Sequence, residues 1–144
     1  LAPRSKDMKF IIPLLVTFAT GCMVFGPNRV TEVGSIAVNE TGPRIEVPDT
    51  VHAGQRFPVT IHTVGPNNCY KAYRTEVEMQ ERSFIVTPID SHVEDDRFSC
   101  GSALVFPQHR VTLEFRLAGE ATVVAVGAGE PDPVRYAFPV VVLP

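Results

Sequence analysis

The densest group of side chains able to bind a cation or move a proton in this 144-residue chain is Asp90, His92, Glu94, Asp95 and Asp96. Carboxylates gathered around one imidazole could hold a hard cation such as Ca²⁺, which takes about six to eight oxygen ligands. Their order departs from the D-x-[DN]-x-[DN]-G pattern of a calcium loop. The run is therefore expected to be a solvated acidic loop. His52, His62 and His109 stand singly, without metal-ligand spacing. His62 should face outward from a strand, and the other histidines should fall in loops. No metal and no cofactor is assigned.

Nucleophilic chemistry finds less. There is no G-x-S-x-G elbow. Ser91 and His92 are neighbours whose alternate directions would keep hydroxyl and imidazole apart. Gly127-Ala128-Gly129 lacks the helix that a phosphate cradle needs. The chain is expected not to be an enzyme. Tyr70, Lys71 and Tyr73, close after Cys69, are the amphipathic candidates for a contact surface, because tyrosine joins an apolar body to a polar tip.

The elements that must position these residues are strands. From Val33 onward, runs rich in Val, Ile, Thr and Phe are separated by Gly, Pro, Asn and Asp. No 3.6-residue period is sustained, and thirteen prolines leave little room for long helices. The spacing predicts strands over Val33–Val38, Arg44–Val47, Gln55–Val64, Thr75–Gln80, Ser83–Ile89, Arg110–Leu117, Ala121–Gly127 and Val134–Leu143. In the third, Phe57, Val59 and Ile61 share a face, and Pro58 argues for an edge or a bulge. In Thr75–Gln80, Val77 and Met79 alternate with Glu76 and Glu78. Val111, Leu113 and Phe115 should point inward from Arg110–Leu117. Seven or eight strands without a helix predict an all-β, antiparallel two-sheet sandwich, with a small closed barrel as the alternative.

Ahead of the strands lies a leader. Arg4, Lys6 and Lys9, an apolar run from Phe10 to Ala19, and small residues before Cys22 form the three regions of a secretory signal. A bilayer-spanning helix needs roughly 20 apolar residues; this run is shorter and is broken by Pro13. Met8 followed by lysine is a natural opening, which would put Leu1–Asp7 ahead of the true start. Ala19-Thr20-Gly21-Cys22 resembles the bacterial lipobox, with alanine where leucine is usual. The resemblance implies cleavage before Cys22 and diacylglycerol on its sulfur. Met23 in place of the inner-membrane retention aspartate implies the outer membrane if the cell is Gram-negative. The expected division is a signal peptide over 1–21, a lipidated cysteine and tether over 22–32, and a sandwich domain over 33–144.

With Cys22 given to lipid, Cys69 and Cys100 remain, and an even pair in an exported domain reads as a disulfide. Beyond the leader the chain carries ten Lys and Arg against fifteen Asp and Glu, a formal charge of −5. Nucleic acid would want a basic face and is excluded as the main partner.

The fragment Val111–Val126, a strand, an Ala-Gly corner and a second strand, resembles the late hairpin of bacterial immunoglobulin-like domains. Ile45-Glu46-Val47-Pro48, Ala53-Gly54-Gln55-Arg56-Phe57 and the Cys69 and Cys100 pair together resemble uncharacterised bacterial lipoproteins. The antibody-type tryptophan and corner tyrosine are missing. In immunoglobulin order Cys69 falls in the BC loop and Cys100 in the DE loop, at one end of the sandwich, with the FG loop and the tether. The expected function is a non-catalytic, lipid-anchored module that binds or scaffolds at the cell envelope, with an envelope protein or glycan as partner. The alternative is a small-ligand or metal-ion carrier using the acidic His92 loop.

Overall fold

The protein is described by a computed structural model at residues 26–95 and 97–144. The expected signal peptide, Cys22 and Asp96 lie outside the described residues. Among those described the chain forms no helix. Its strands are β1 (Arg29–Val33), β2 (Val38–Asn39), β3 (Gly42–Pro43), β4 (Ile45–Glu46), β5 (Thr50–His52), β6 (Arg56–His62), β7 (Lys71–Gln80), β8 (Ser83–Val93), β9 (Gln108–Glu114), β10 (Gly119–Gly127) and β11 (Val134–Leu143).

The all-β expectation holds, but the count and the pairing differ from it. Among the described residues eleven strands lie in three sheets, and two pairings are parallel, β8 with β10 and β5 with β11. The larger sheet runs β7-β8-β10-β11-β5. Beside β10, β1 covers the second half of β8, from Ile89 to Val93. The second sheet is β4-β6-β9, and β2 and β3 make a small hairpin of their own.

The extra strands come from the segment expected as two runs, Val33–Val38 and Arg44–Val47. Pro43 and Pro48 cannot donate to a ladder, so pairing there breaks into pieces of two or three residues. The chain leaves the second sheet after β4, passes Val47-Pro48-Asp49, and joins the first sheet as β5. Pro58 sits opposite Thr112 of β9, at a level where β4 no longer covers β6. The expected edge position is thus correct for half of that strand.

Both sheets turn their alternating apolar faces onto one core. Phe57, Val59 and Ile61 of β6, Leu113 of β9 and the adjoining Phe115 meet Phe84 and Val86 of β8, Val123 and Ala125 of β10, and Val140 and Val142 of β11. Phe115 lies between Phe57 and Phe84, with ring centroids 5.6 Å and 4.8 Å away. Each fully buried side chain of this size contributes about 1.5–3 kcal/mol relative to exposure. This phenylalanine trio packs between the two sheets.

The two-residue turn Glu81-Arg82 closes the β7–β8 hairpin as expected, with Glu81 at φ 53°. Arg82 then reaches across to the β9–β10 corner. Its Nε donates to Glu120 O at 2.6 Å and its Nη2 to Leu117 O at 3.1 Å. Strand β7 departs from expectation, being exposed along almost its whole length, Val77 and Met79 included. β9, the last strand of the second sheet, comes near β7 only around Ala72–Thr75 and leaves Val77 and Met79 uncovered.

Candidate functional site

Two of the residues expected in loops are buried strand residues that meet inside the protein. Asp90 extends the inward phase of Phe84, Val86 and Pro88 along β8, and His109 extends that of Val111, Leu113 and Phe115 along β9. Their side chains therefore project from opposite sheets toward each other. His109 Nε2 lies 2.8 Å from Asp90 Oδ1, with the two residues 3% and 1% exposed. A buried polar pair thus joins β8 of the larger sheet to β9 of the second sheet.

The backbone closes tightly over this pair. A Cβ on Gly34 would stand 2.6 Å from Asp90 Oδ2 and 2.5 Å from Thr63 Cγ2. Gly34 is held there by its N–H, which donates to Pro88 O at 2.9 Å, and by its carbonyl, which accepts from Ala128 N at 3.0 Å. Only glycine allows the chain so near a buried carboxylate.

His92, also expected in a loop, lies two residues further along β8. Its ring stacks on Tyr70, with centroids 4.6 Å apart and planes inclined by 11°. Glu32 Oε1 is 3.6 Å from His92 Nδ1, which has no hydrogen-bond partner among the described residues. Burial pushes the Tyr70 phenol above its usual value, and the neighbouring Glu32 carboxylate adds to the shift. Tyr70 thus packs the loop onto β8. Lys71 and Tyr73 belong to β7 and are exposed. Tyr73 falls at a break in register, between Ala72 opposite Asp90 and Arg74 opposite Ile89.

Of the acidic run, Glu94 and Asp95 do lie in the loop after β8. Asp95 clamps Arg97, whose Nε and Nη2 reach its carboxylate oxygens at 2.9 Å and 2.6 Å. These hydrogen bonds, with the Arg97 backbone N–H, hold the Asp95 carboxyl at about 2. Asp90, His92, Glu94 and Asp95 are thus divided between core, strand face and loop. Among the described residues no three His, Cys, Asp or Glu side chains converge as metal ligands. Ser91 is buried on the face of β8 opposite His92, so no hydroxyl meets that imidazole. Of the remaining histidines, His52 lies in β5 and His62 in β6, the latter half-buried where an outward position was expected.

Cys69 and Cys100 form the expected disulfide, with Cα atoms 5.6 Å apart. It joins the β6–β7 and β8–β9 connections at one end. Backbone and side chains stitch the same seam. Asn68 N donates to Gly101 O at 3.1 Å, Gly101 N donates to Asn68 Oδ1 at 2.8 Å, and Gly65 bridges Val105. The first described residues arrive here too, since Glu94 N donates to Asn28 O at 3.0 Å.

The stapled β8–β9 connection also carries exposed apolar side chains. Phe98, Leu104 and Phe106 are 47%, 63% and 51% exposed. Phe106 lies under the Arg44 guanidinium, 5.2 Å from ring centroid to Cζ. The run Ala103–Phe106, apolar yet claimed by no expected strand, was the sequence signal for two of them. Among the described residues no helix is long and apolar enough to cross a membrane. Compared with family models, curated proteins and solved structures, the chain finds no significant match.

Proposed function

We propose that this chain is a lipid-anchored module of the bacterial cell envelope, without catalytic activity, that binds a protein or glycan partner through its disulfide-stapled end. The observation that carries the reading is the exposure of Phe98, Leu104 and Phe106 on the connection that the Cys69–Cys100 bridge staples. Loops held by a rigid scaffold lose little entropy on binding, and exposed aromatic side chains supply contact area. The seam lies beside Asn28, so a tether beginning at Cys22 would bring this end near the membrane surface. Acylation at Cys22 with more than one chain would make the attachment stable.

The domain is read as a variant of the immunoglobulin-like sandwich. In favour are the crossing from β4 to β5 between sheets, the parallel β5–β11 pair, and the shared core of β6, β9, β10 and β11. The variation is that β8, running parallel, takes the place beside β10.

Membrane fractionation of cells expressing the full chain, with fatty-acid labelling, tests the address. The wild type is expected in the membrane fraction carrying label, and Cys22→Ser is expected in the soluble fraction without it. Continued membrane association of the unlabelled variant would overturn the lipid anchor.

A further inference from the structure

The longest strand edge without a partner among the described residues is that of β7, which pairs with β8 on one side only over Lys71–Gln80. An open edge of this length offers a row of free N–H and C=O groups to another strand. Tyr73, Val77 and Met79 on it are exposed large apolar side chains. Val77 and Met79 stand opposite Val86 and Phe84, so they face the core side of the sheet, beyond the reach of the second sheet.

The charges of β7 are divided by halves. Lys71 and Arg74 lie in the first half, Glu76 and Glu78 in the second. A strand of that pattern is complementary to itself only when a second copy runs antiparallel, which is the arrangement a two-fold axis produces. Centred on Thr75, on the regular side of the bulge at Tyr73, the pairing sets Arg74 against Glu76 of the second copy, twice. No like charges then face each other. Shifting the centre to Glu76 would oppose that carboxylate to its own copy. Arg74 Nη2 and Glu76 Oε1 of one chain are already 2.7 Å apart, so the two side chains are held on one face of the strand, ready to continue into a four-charge ladder. β1, through which the described chain begins, lies on the opposite edge of β8, and β9 comes near β7 around Ala72–Thr75 without pairing with it.

We infer that the protein forms a two-fold homodimer by antiparallel pairing of β7 with β7 of a second copy, in the register that opposes Arg74 and Glu76. The two larger sheets then join into one continuous sheet. Both loop ends stay free, because the contact runs along the strand and not at its ends.

Sedimentation of the full chain in density-matched detergent tests this with two charge variants. The wild type should show a concentration-dependent dimer. Arg74→Glu alone and Glu76→Arg alone should each raise the dimer dissociation constant by roughly tenfold or more, since each sets like charges opposite one another twice. An equimolar mixture of the two variants should recover dimer as a heterodimer, in which every opposed pair is again of opposite sign. The doubly exchanged chain should recover it as a homodimer. A wild type monomeric at every concentration would overturn the inference. So would single variants that dimerise like the wild type, or a mixture that fails to recover dimer.

Discussion

Removing one partner of the Asp90–His109 pair should cost far more stability than removing both. The pair is joined at 2.8 Å, and its side chains are 1% and 2% exposed, so water cannot replace a missing partner. Asp90→Ala leaves the imidazole N–H buried without its acceptor, and His109→Ala leaves the carboxylate without its donor. A buried charged or polar group stranded in this way costs about 3–5 kcal/mol. A single domain of this size has roughly 5–15 kcal/mol in total. The loss would lower Tm by on the order of 15 °C. Replacing both residues with aliphatic side chains of similar volume, Asp90→Val with His109→Leu, should instead fall within about 1 kcal/mol of the wild type or above it. Urea unfolding of all four proteins, with the disulfide intact and slopes compared, gives the coupling as a double-mutant cycle. A single variant losing less than about 1 kcal/mol would refute the claim that this pair is a desolvated contact between the sheets. A double variant as poor as the singles would refute it equally.

Other expectations follow from the same end of the molecule. Replacing both Cys69 and Cys100 with serine opens a loop of sequence separation 31, and on the chain-entropy view should cost about 3–4 kcal/mol in urea unfolding, with the far-ultraviolet β signal retained below the transition. Gly34→Ala should destabilise by about 1–3 kcal/mol, because its methyl group meets Thr63 and Asp90, and a calorimetric scan will read the loss. The Asp95 carboxyl should titrate at about 2 by NMR, and Arg97→Ala should return it toward the ordinary 3.8. Since the folded value lies below the unfolded one, the stabilising contribution of Asp95 is complete above about 4 and disappears as the pH falls through about 2. A carboxyl titrating near 4 in the wild type would contradict the Asp95–Arg97 clamp.

The strands that are buried on one face were legible from alternation. Phe57, Val59 and Ile61, or Val111, Leu113 and Phe115, announce their faces because a period of two residues leaves no other way to bury them. The polar pair was hidden by a boundary effect. Ending one strand at Ile89 and beginning another at Arg110 stops a single residue short of Asp90 and of His109. Each is in phase with the apolar residues beside it, so the phase was present but a charged residue conventionally marks a strand end. The segment from Val38 to His52 was misjudged in the other direction, because Pro43 and Pro48 divide into short pieces what apolar content alone joins. The parallel pairing of β8 with β10 leaves no local trace, since it depends on which edge a distant strand finds. Val77 and Met79 alternate as well as any core residues do, yet they are exposed. Alternation identifies a face, while the extent of the opposing sheet decides whether that face is covered.

Photo-crosslinking in cells tests the binding role most directly. The crosslinking amino acid would replace Phe98 on the stapled connection in one strain and Ala137, on the exposed face of β11, in another, in otherwise full chains. The proposed function predicts a discrete higher-mass product from position 98, absent from position 137, and lost when Cys22→Ser removes the anchor. Equal products from both positions, or none from position 98 while the protein remains folded and membrane-bound, would contradict a contact surface at the disulfide-stapled end.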